Sequence, residues 1–414
     1  MKNRVPVATW PSPAGAIIDA SPFRGEISHR PPRSGRQRGH PQTMRKFIAL
    51  IAAILLTGAA AQDYVFGIVY DAGGKFDRSF NESTWRGVER AELELEQQGL
   101  EIEVVEFEGT PDTAAEGQRR IALEGAELIV APGFLQADAI AAVSQEFPNT
   151  SFVLIDAVAE GENVRSVLFK EQEGSFLVGY IAGKLSRTGV VGFVGGMDVP
   201  LIRAFDLGYQ EGVAAACEDC TVISNYVGVT PDAWNDPARA KELASTQHAQ
   251  GADIIFAAAG ASGNGVIDFV NEKQCFVPSD AVRATPLDEQ LVDVPVSAGY
   301  AAACPAGALP IFFIGVDSNQ NWLGDTDSDP ATLNHGLTSM LKRVDNASYT
   351  AVMDVVNGTF EAGLQNLGLA EGGVDYALDE YNEPLIPADL VEEVNRIKQQ
   401  IIDGEITVTD YRLQ

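Results

Sequence analysis

The chain has 414 residues and carries 58 acidic against 29 basic side chains, which gives a formal net charge of −29. Such acidity repels nucleic-acid phosphates and anionic lipid, so nucleic-acid partners and membrane-surface binding are disfavoured. A hydrophobic fraction of 45% is typical of a folded protein rather than of disorder, and the length predicts about two domains. No apolar run in the sequence reaches the roughly 20 residues that a membrane-spanning helix needs.

The beginning of the chain differs in composition from the rest. Residues 1–43 are rich in Pro, Arg and Gly without apolar periodicity, so we expect a disordered extension ahead of a true start at Met44. Residues 44–61 combine a basic start, a short apolar run and an alanine-rich end, which predicts a secretory signal peptide cleaved after Ala61. No cysteine stands directly after the apolar run, which favours a free periplasmic protein over a lipid-anchored one. Nine basic and two acidic residues precede Gln62, so the exported part would carry −36.

The four cysteines are expected to pair, because export implies an oxidising compartment. Three connectivities are possible, and we favour Cys217 with Cys220 and Cys275 with Cys304 because each pair closes a local segment. A redox role for the first pair is less supported, since its acidic neighbours would raise rather than lower a thiol pKa. A zinc site is weaker still, because the two histidines of the exported part lie far from the cysteines in sequence.

Short apolar runs alternate with amphipathic stretches along the exported chain. Tyr64–Tyr70 predicts a buried strand, Phe80–Gln98 has helical spacing, and the same rhythm restarts after Glu173. Repeated β-α units predict parallel sheets covered by helices on both faces, and two such series predict two similar lobes. Residues 275–309 interrupt the rhythm with Pro, Ala and Gly and no helical period, so we expect an inserted surface loop there.

Polar side chains follow the predicted strands, where open parallel sheets bind their ligands. Asp71–Asn81 places two carboxylates and an amide at a strand-to-helix turn and lacks the G-x-G-x-x-G pattern of dinucleotide sites. Helix capping by Asp77 or Ser79 is the commoner use of such residues, although it explains only part of the run. Asp156 likewise comes directly after a predicted strand.

Further candidates lie in the second half of the chain. Phe205 has a spacing that by itself favours core packing over ligand stacking. The turn Gly260–Gly265, which contains Gly263, could bind an anion or a hydroxyl through its N–H groups, although a tight turn is the default. Asp317 is a hydroxyl acceptor or a turn former, and Lys342 is either solvated or paired with a strand-end carboxylate. Carboxylates and amides that face one cleft suit a neutral polyhydroxyl or heterocyclic ligand.

These ordered motifs resemble the basic membrane protein (BMP) family of substrate-binding proteins, of the purine nucleoside receptor type that serves ABC importers. The resemblance covers about the whole chain from Tyr64 and rests on residues 71–81, 173–183, 192–212, 260–266, 315–320 and 338–345. It implies an α/β type I periplasmic binding-protein fold, in which a hinge of three crossings joins two doubly wound parallel-sheet lobes. We expect lobe 1 in residues 62–171 plus 317–348, and lobe 2 in residues 172–316 plus 349–414.

The resemblance also implies a set of eight ligand-binding residues. Those that would stack on the two faces of a purine are Phe80 and Phe205. Those that would hydrogen-bond the base or its surroundings are Asp71, Asn81 and Asp156. Those that would hold the ribose hydroxyls are Gly263, Asp317 and Lys342. The segment 275–309 and the missing lipid-attachment cysteine depart from the family pattern.

The leading hypothesis is a monomeric exported binding protein that closes on a nucleoside and delivers it to an ABC permease, without cofactor or metal. A sugar or another small hydroxylated ligand is the alternative, and purine against pyrimidine stays open. A nucleoside-hydrolysing enzyme is less supported, because there is no dense Asp cluster and Lys342 would oppose a divalent ion. A membrane-tethered sensor is disfavoured, since nothing after Gln62 could anchor it. The acidic field favours a neutral nucleoside over a nucleotide.

Overall fold

Two α/β lobes form the part of the chain that the computed structural model describes, residues 63–278 and 282–414. The predicted extension at residues 1–43 and the predicted signal peptide at residues 44–61 lie outside these ranges. No helix in the described part is long and apolar enough to cross a bilayer.

Sheet 1 is the centre of lobe 1, and its strand pairings are parallel. Its six strands are β1 (Asp63–Val69), β2 (Glu101–Phe107), β3 (Leu128–Pro132), β4 (Ser151–Ile155), β5 (Val164–Phe169) and β13 (Gly363–Leu367). They lie in the order β13-β5-β4-β3-β1-β2. The helices of this lobe are α1 (Phe80–Gln97), α2 (Ala114–Leu123), α3 (Ala137–Glu146) and α10 (Val344–Asn357). They cover both faces, which is why the central strands are apolar along nearly their whole length.

Sheet 2 is the centre of lobe 2 and repeats the architecture of sheet 1. Its strands are β6 (Val190–Met197), β7 (Thr221–Gly228), β8 (Ile254–Ala258), β11 (Phe312–Asp317), β12 (Gly336–Lys342) and β14 (Val374–Tyr376). They lie in the order β14-β12-β11-β8-β6-β7, and only the edge strand β14 runs antiparallel to its neighbour. The main helices are α4 (Glu171–Leu185), α5 (Pro200–Ala216), α6 (Pro237–Ala249), α7 (Gly263–Lys273) and α11 (Ala388–Ile402). The predicted fold of two parallel-sheet lobes is confirmed.

Helices α4 and α5 pack closely in lobe 2 and thereby position two residues of interest. Gly179 on α4 and Gly212 on α5 face the partner helix, and a Cβ atom at either position would collide with a backbone carbonyl oxygen of that helix. Glycine permits this approach because it has no side chain. This close packing sets the position of α4, which begins at Glu171, relative to α5, which carries Phe205.

The chain crosses between the sheets three times, at residues 169–171, 342–344 and 367–374. The lobe boundaries that we predicted differ from these crossings, because residues 317–342 stay in lobe 2 and residues 349–367 lie in lobe 1. The reason is strand pairing: β12 pairs with β11, and β13 pairs with β5. Such long-range pairing has no local signal in sequence, which is why the expected boundaries were misplaced.

The segment 275–309 contains more regular structure than predicted. Strand β9 (Cys275–Phe276) pairs with β10 (Leu309–Pro310), and between them lie the short helices α8 (Leu287–Asp293) and α9 (Ala298–Ala303). Helices of two turns or less are too short to show a clear apolar period, which explains the wrong expectation of a loop.

The disulfides that we favoured, Cys217–Cys220 and Cys275–Cys304, are both present. The second of them joins β9 to the end of α9, so it holds the inserted segment together as expected.

Candidate ligand-binding site

A cavity lies between the lobes, at the carboxyl ends of the strands, where about 550 Å³ of space, including space open to solvent, is free of protein atoms. Seven of the eight predicted ligand-binding residues line it: Asp71, Phe80, Asn81, Asp156, Phe205, Asp317 and Lys342. The eighth, Gly263, begins α7 and is not among the lining residues, whereas Gly260 of the same turn is. Parallel sheets bring residues that are far apart in sequence to one edge, which is why strand-end positions converge here.

The turn after β1 is held in place by Asp77. Its buried carboxylate accepts hydrogen bonds from the backbone N–H groups of Ser79 at 2.8 Å, Asn81 at 2.9 Å and Glu82 at 3.1 Å. Asp77 therefore caps α1, which is the commoner use of such a residue named in the sequence analysis. The cap also positions Phe80 and Asn81 at the cavity. Burial raises the pKa of the Asp77 carboxyl to about 7, although the three N–H donors oppose this.

Asp71 forms the neighbouring part of the cavity wall. Its backbone N–H donates to Asn81 Oδ1 at 3.1 Å, and its own carboxylate accepts from the N–H of Ala72 at 2.8 Å. Burial raises the pKa of Asp71 to about 7, with a smaller contribution from the charge of Asp156. With a pKa near 7, this carboxyl group is protonated in part of the molecules at neutral pH. It can therefore donate a hydrogen bond to a ligand as well as accept one.

Asp156 and Asp317 occupy equivalent positions in the two lobes, at the carboxyl ends of β4 and β11. Both have left-handed backbones, with φ of 74° and 63°. This conformation is uncommon for residues other than glycine, although aspartate adopts it more readily than most, and such residues cluster at functional sites. The carboxylate of Asp317 accepts a hydrogen bond from Ser79 Oγ of lobe 1 at 2.6 Å.

Lys342 ends β12 and carries a positive charge into the cavity wall with only 2% of its side chain exposed. Its Nζ lies 2.6 Å from Asp156 Oδ1 and 3.1 Å from Glu171 Oε1. Burial alone would lower the pKa of Lys342, but the surrounding carboxylates outweigh it and raise the pKa. The rings of Phe80 and Phe205 have their centres 5.2 and 5.6 Å from this Nζ, within the range of cation–π attraction.

Aromatic side chains complete the wall of the cavity. Phe205 is 2% exposed and belongs to the main core while also lining the cavity, so core packing and cavity lining both apply to it. Trp234 ends a short 3-10 helix after β7, and its ring lies edge-on to Phe134 at 6.5 Å between centroids. In the described residues the buried Nε1 of Trp234 has no hydrogen-bond partner, which leaves a donor for a ligand.

Direct hydrogen bonds join the lobes beside the cavity. Gln320 Nε2 donates to the backbone oxygen of Arg78 at 2.7 Å, and Asn264 Nδ2 donates to that of Asp77 at 3.1 Å. The side chains belong to lobe 2 and the acceptors to lobe 1. The turn after β1 thus contacts the opposite lobe as well as lining the cavity.

The family described as ABC transporter substrate-binding protein PnrA-like (Bmp) matches residues 65–277, about half of the chain. The chain belongs to this PnrA-like family. Its members are substrate-binding proteins of ABC transporters rather than enzymes, which confirms the expectation of a binding protein.

Individual relatives agree with the family. A CD4+ T-cell-stimulating antigen of Listeria monocytogenes serovar 1/2a is 31% identical, over 85% of this chain and 89% of that one. An ABC transporter nucleoside-binding protein, BmpA of Lactococcus lactis subsp. cremoris, is 28% identical over 85% and 91%. A solved ABC transporter solute-binding protein from Aeropyrum pernix K1 superposes with a TM-score of 0.66 at 28% identity, covering 84% of this chain and 93% of that one.

The cavity of this PnrA-like chain includes residues that sequence reasoning missed. Phe134 and Trp234 both follow strands, β3 and β7, so the strand-end rule that found Asp156 could have found them. Glu171 is not among the lining residues but contacts Lys342, and it was missed because it lies at the start of a helix rather than at a strand end. Within residues 63–278 and 282–414, no three histidine, cysteine, aspartate or glutamate side chains are grouped to hold a metal ion.

Proposed function

We propose that this protein is exported to the periplasm and binds a nucleoside between its lobes for delivery to an ABC permease. The observation that carries the proposal is the composition of the cavity wall. Flat aromatic rings suit a planar base, and paired carboxylates beside a lysine suit vicinal hydroxyls. Supporting evidence comes from the Lactococcus lactis relative, whose name describes a nucleoside-binding protein.

The charges around the cavity favour a neutral ligand. Asp71, Asp77, Asp156 and Asp317 line it together with one lysine, Lys342, which already contacts two carboxylates. A phosphate group would meet these acidic side chains without a free cation to bind it among the lining residues. A nucleoside therefore fits better than a nucleotide. Among nucleosides we propose a purine, since the family resemblance implies two aromatic side chains against the faces of the base.

Closure of the two lobes is the proposed mechanism. Three chain crossings connect the lobes, and the hydrogen bonds from Gln320 and Asn264 across the cleft exist only when the lobes meet. A ligand that contacts both lobes lowers the free energy of the closed state relative to the open one. The permease would then distinguish the closed protein from the open one.

Titration calorimetry with inosine, guanosine, adenosine, uridine, free purines, ribose and guanosine monophosphate tests the proposal. We expect purine nucleosides to bind, the nucleotide to bind at least tenfold more weakly, and ribose alone to give no heat. Absence of heat with every nucleoside, together with binding of a free sugar, would establish the sugar-binding alternative instead.

A pair of phenylalanines from one turn provides a matched control. Phe80 lines the cavity, whereas Phe76 is 70% exposed four residues earlier. Phe80→Ala should abolish or strongly weaken nucleoside binding, and Phe76→Ala should leave it unchanged. Equal effects of the two substitutions would contradict the assignment of the cavity as the ligand site.

A further inference from the structure

A chain of charged side chains runs from the C-terminal segment to the ligand cavity. Asp410 accepts from Arg412 Nε at 2.9 Å, and Arg412 Nη1 lies 3.0 Å from Glu171 Oε2. The other oxygen of Glu171 lies 3.1 Å from Lys342 Nζ, which is 2.6 Å from Asp156 Oδ1. Three carboxylates and two cations thus alternate in sign from residue 410 to the wall of the cavity.

Arg412 also contacts the hinge directly. Its Nη2 donates to the backbone oxygen of Phe169 at 2.9 Å, and Phe169 is the last residue of β5 in lobe 1. Glu171, which Arg412 also contacts, begins α4 in lobe 2, so the arginine bridges the first crossing between the lobes. The segment is held on lobe 2 by the N–H of Thr409, which donates to Glu211 of α5 at 3.0 Å.

The charge balance around Glu171 explains why this contact matters. Glu171 is completely buried, and its salt bridges in the described structure are those with Lys342 and Arg412. If Arg412 were absent, Lys342 alone would face Glu171, Asp156 and the nearby Asp317. A buried carboxylate without sufficient counter-charge is costly, so Glu171 would attract Lys342 away from Asp156.

We infer that Arg412 is a positioning residue for ligand binding: by neutralising Glu171, it leaves Lys342 directed at Asp156 and the ligand. The inference deepens the proposed function and rests on it for its effect on nucleoside affinity. The groups that face Glu171 are Lys342 from β12, Asp156 from the end of β4, Asp317 from the end of β11 and Arg412 from the C-terminal segment. Burial raises the pKa of Glu171, and the two cations oppose that rise.

Removal of Arg412 should make binding depend on pH more strongly than in the wild type. In Arg412→Gln, Glu171 loses one of its two cations, its pKa rises further, and it takes up a proton as the pH falls. We expect nucleoside affinity about tenfold below wild type at pH 8, with recovery toward wild type near pH 5. The double variant Arg412→Gln with Glu171→Gln should bind like the wild type at both pH values, because the uncompensated carboxylate is gone.

The matched control is Arg396→Gln in the same C-terminal region. Arg396 is 65% exposed, and its salt bridge within the described residues is with the partly exposed Glu393, at 3.8 Å. Its substitution removes the same charge without touching the buried chain and should leave affinity unchanged at both pH values. A merely structural role of Arg412 predicts a lower melting temperature with unchanged affinity, and that result would overturn the inference. If Arg412→Gln does not fold, Arg412→Lys replaces it, and its nucleoside affinity should depend on pH in the same direction but by a smaller factor.

A ligand-free measurement separates this inference from the proposed function. The NMR signal of the Lys342 side chain, in protein with labelled lysine and assigned with Lys342→Arg, should shift between pH 5 and 8 in the wild type only with the titration of Asp71 and Asp77, which line the same cavity. In Arg412→Gln the signal should shift further with pH, and in the double variant this additional shift should disappear. A signal in Arg412→Gln that titrates as in the wild type refutes the positioning role even if nucleosides bind. The expected shifts without any nucleoside binding would retain the positioning role and refute the proposed ligand.

Discussion

The two lobes share one topology but supply different charges to the cavity. Strands β4 and β11 occupy equivalent places in their sheets, and both have an aspartate with a left-handed backbone at the carboxyl end. Asp156 directly follows β4, and Asp317 is the last residue of β11. The adjacent strands β5 and β12 are also equivalent, yet one ends with Phe169 and the other with Lys342. The shared topology therefore places the side chains, while the difference at one strand end decides which lobe supplies the cation. Because Lys342 of lobe 2 pairs with Asp156 of lobe 1, opposite charges join the two lobes at this point.

The largest expected effect comes from erasing this difference with Lys342→Met, which makes both strand ends apolar. Asp156 and Glu171 would remain buried without their common partner, so the free energy of unfolding should fall by about 3–5 kcal/mol. The pKa values of both carboxyls would rise further. A carboxyl with a raised folded-state pKa loses stability as pH increases through that pKa, so the deficit should be largest near pH 8 and smaller near pH 5.

Urea denaturation at the two pH values measures this deficit. Lys398→Met is the matched control, because Lys398 pairs with Asp375 at 2.6 Å but is 27% exposed and lies away from the cavity. Its cost should stay below about 1 kcal/mol, as for other exposed ion pairs. A deficit for Lys342→Met no greater than that of the control would show that the lobes do not depend on this pair.

The next effect compares the aromatic residues that the lobes contribute. Phe205 of lobe 2 is 2% exposed, so Phe205→Ala should cost about 3 kcal/mol of unfolding free energy in addition to ligand affinity. Phe80 of lobe 1 is only partly buried, and Phe80→Ala should cost about half as much while weakening binding similarly. Thermal unfolding and calorimetry on both variants check this. A larger loss of stability for Phe80→Ala would reverse the assignment of core and cavity roles.

The sequence could predict those residues of the candidate site that stand at the ends of strands. Asp156, Asp317 and Lys342 stand at strand ends, and the topology of parallel sheets carries such positions to one edge. Phe134 and Trp234 had the same signal but were overlooked. Glu171 and Arg412 were beyond prediction, because their contacts join segments that are about 240 residues apart and depend on how the C-terminal segment packs.

The course of the chain between lobes was predicted less well than the lobes themselves. The β-α rhythm predicts that two parallel sheets form, since each strand and helix leaves its period in the sequence. It does not specify that β13 returns to lobe 1 beside β5, because the backbone hydrogen bonds that pair two strands are the same for any pair of sequences. The exposed residues of β13 carry no apolar pattern, so this strand had no local signal.

A smaller effect separates the two equivalent aspartates. Asp156 is an ion-pair partner of Lys342, whereas Asp317 accepts a hydrogen bond from the neutral Ser79. We expect Asp156→Asn to lower the unfolding free energy by about 2 kcal/mol and Asp317→Asn by less than about 1 kcal/mol. Equilibrium unfolding of the two ligand-free variants at pH 7 measures the difference. Equal losses of unfolding free energy in the two variants would contradict the difference that we assign to the ion pair of Asp156 with Lys342.

The smallest expected effect is a gain of stability at the wall of lobe 1. Burial raises the pKa of Asp71 to about 7, so its folded-state charge is unfavourable above that pH and absent well below it. Asp71→Asn keeps an oxygen to accept from the N–H of Ala72 and removes the charge. The unfolding free energy should therefore rise by about 1 kcal/mol at pH 8, less than the full pKa shift implies because the side chain is not completely excluded from solvent. At pH 5, where the wild-type carboxyl is already protonated in the fold, the gain should be much smaller. A gain of equal size at both pH values would trace the effect to packing rather than to charge, and weaker nucleoside binding by the stabilised variant would identify the charge as one retained for function.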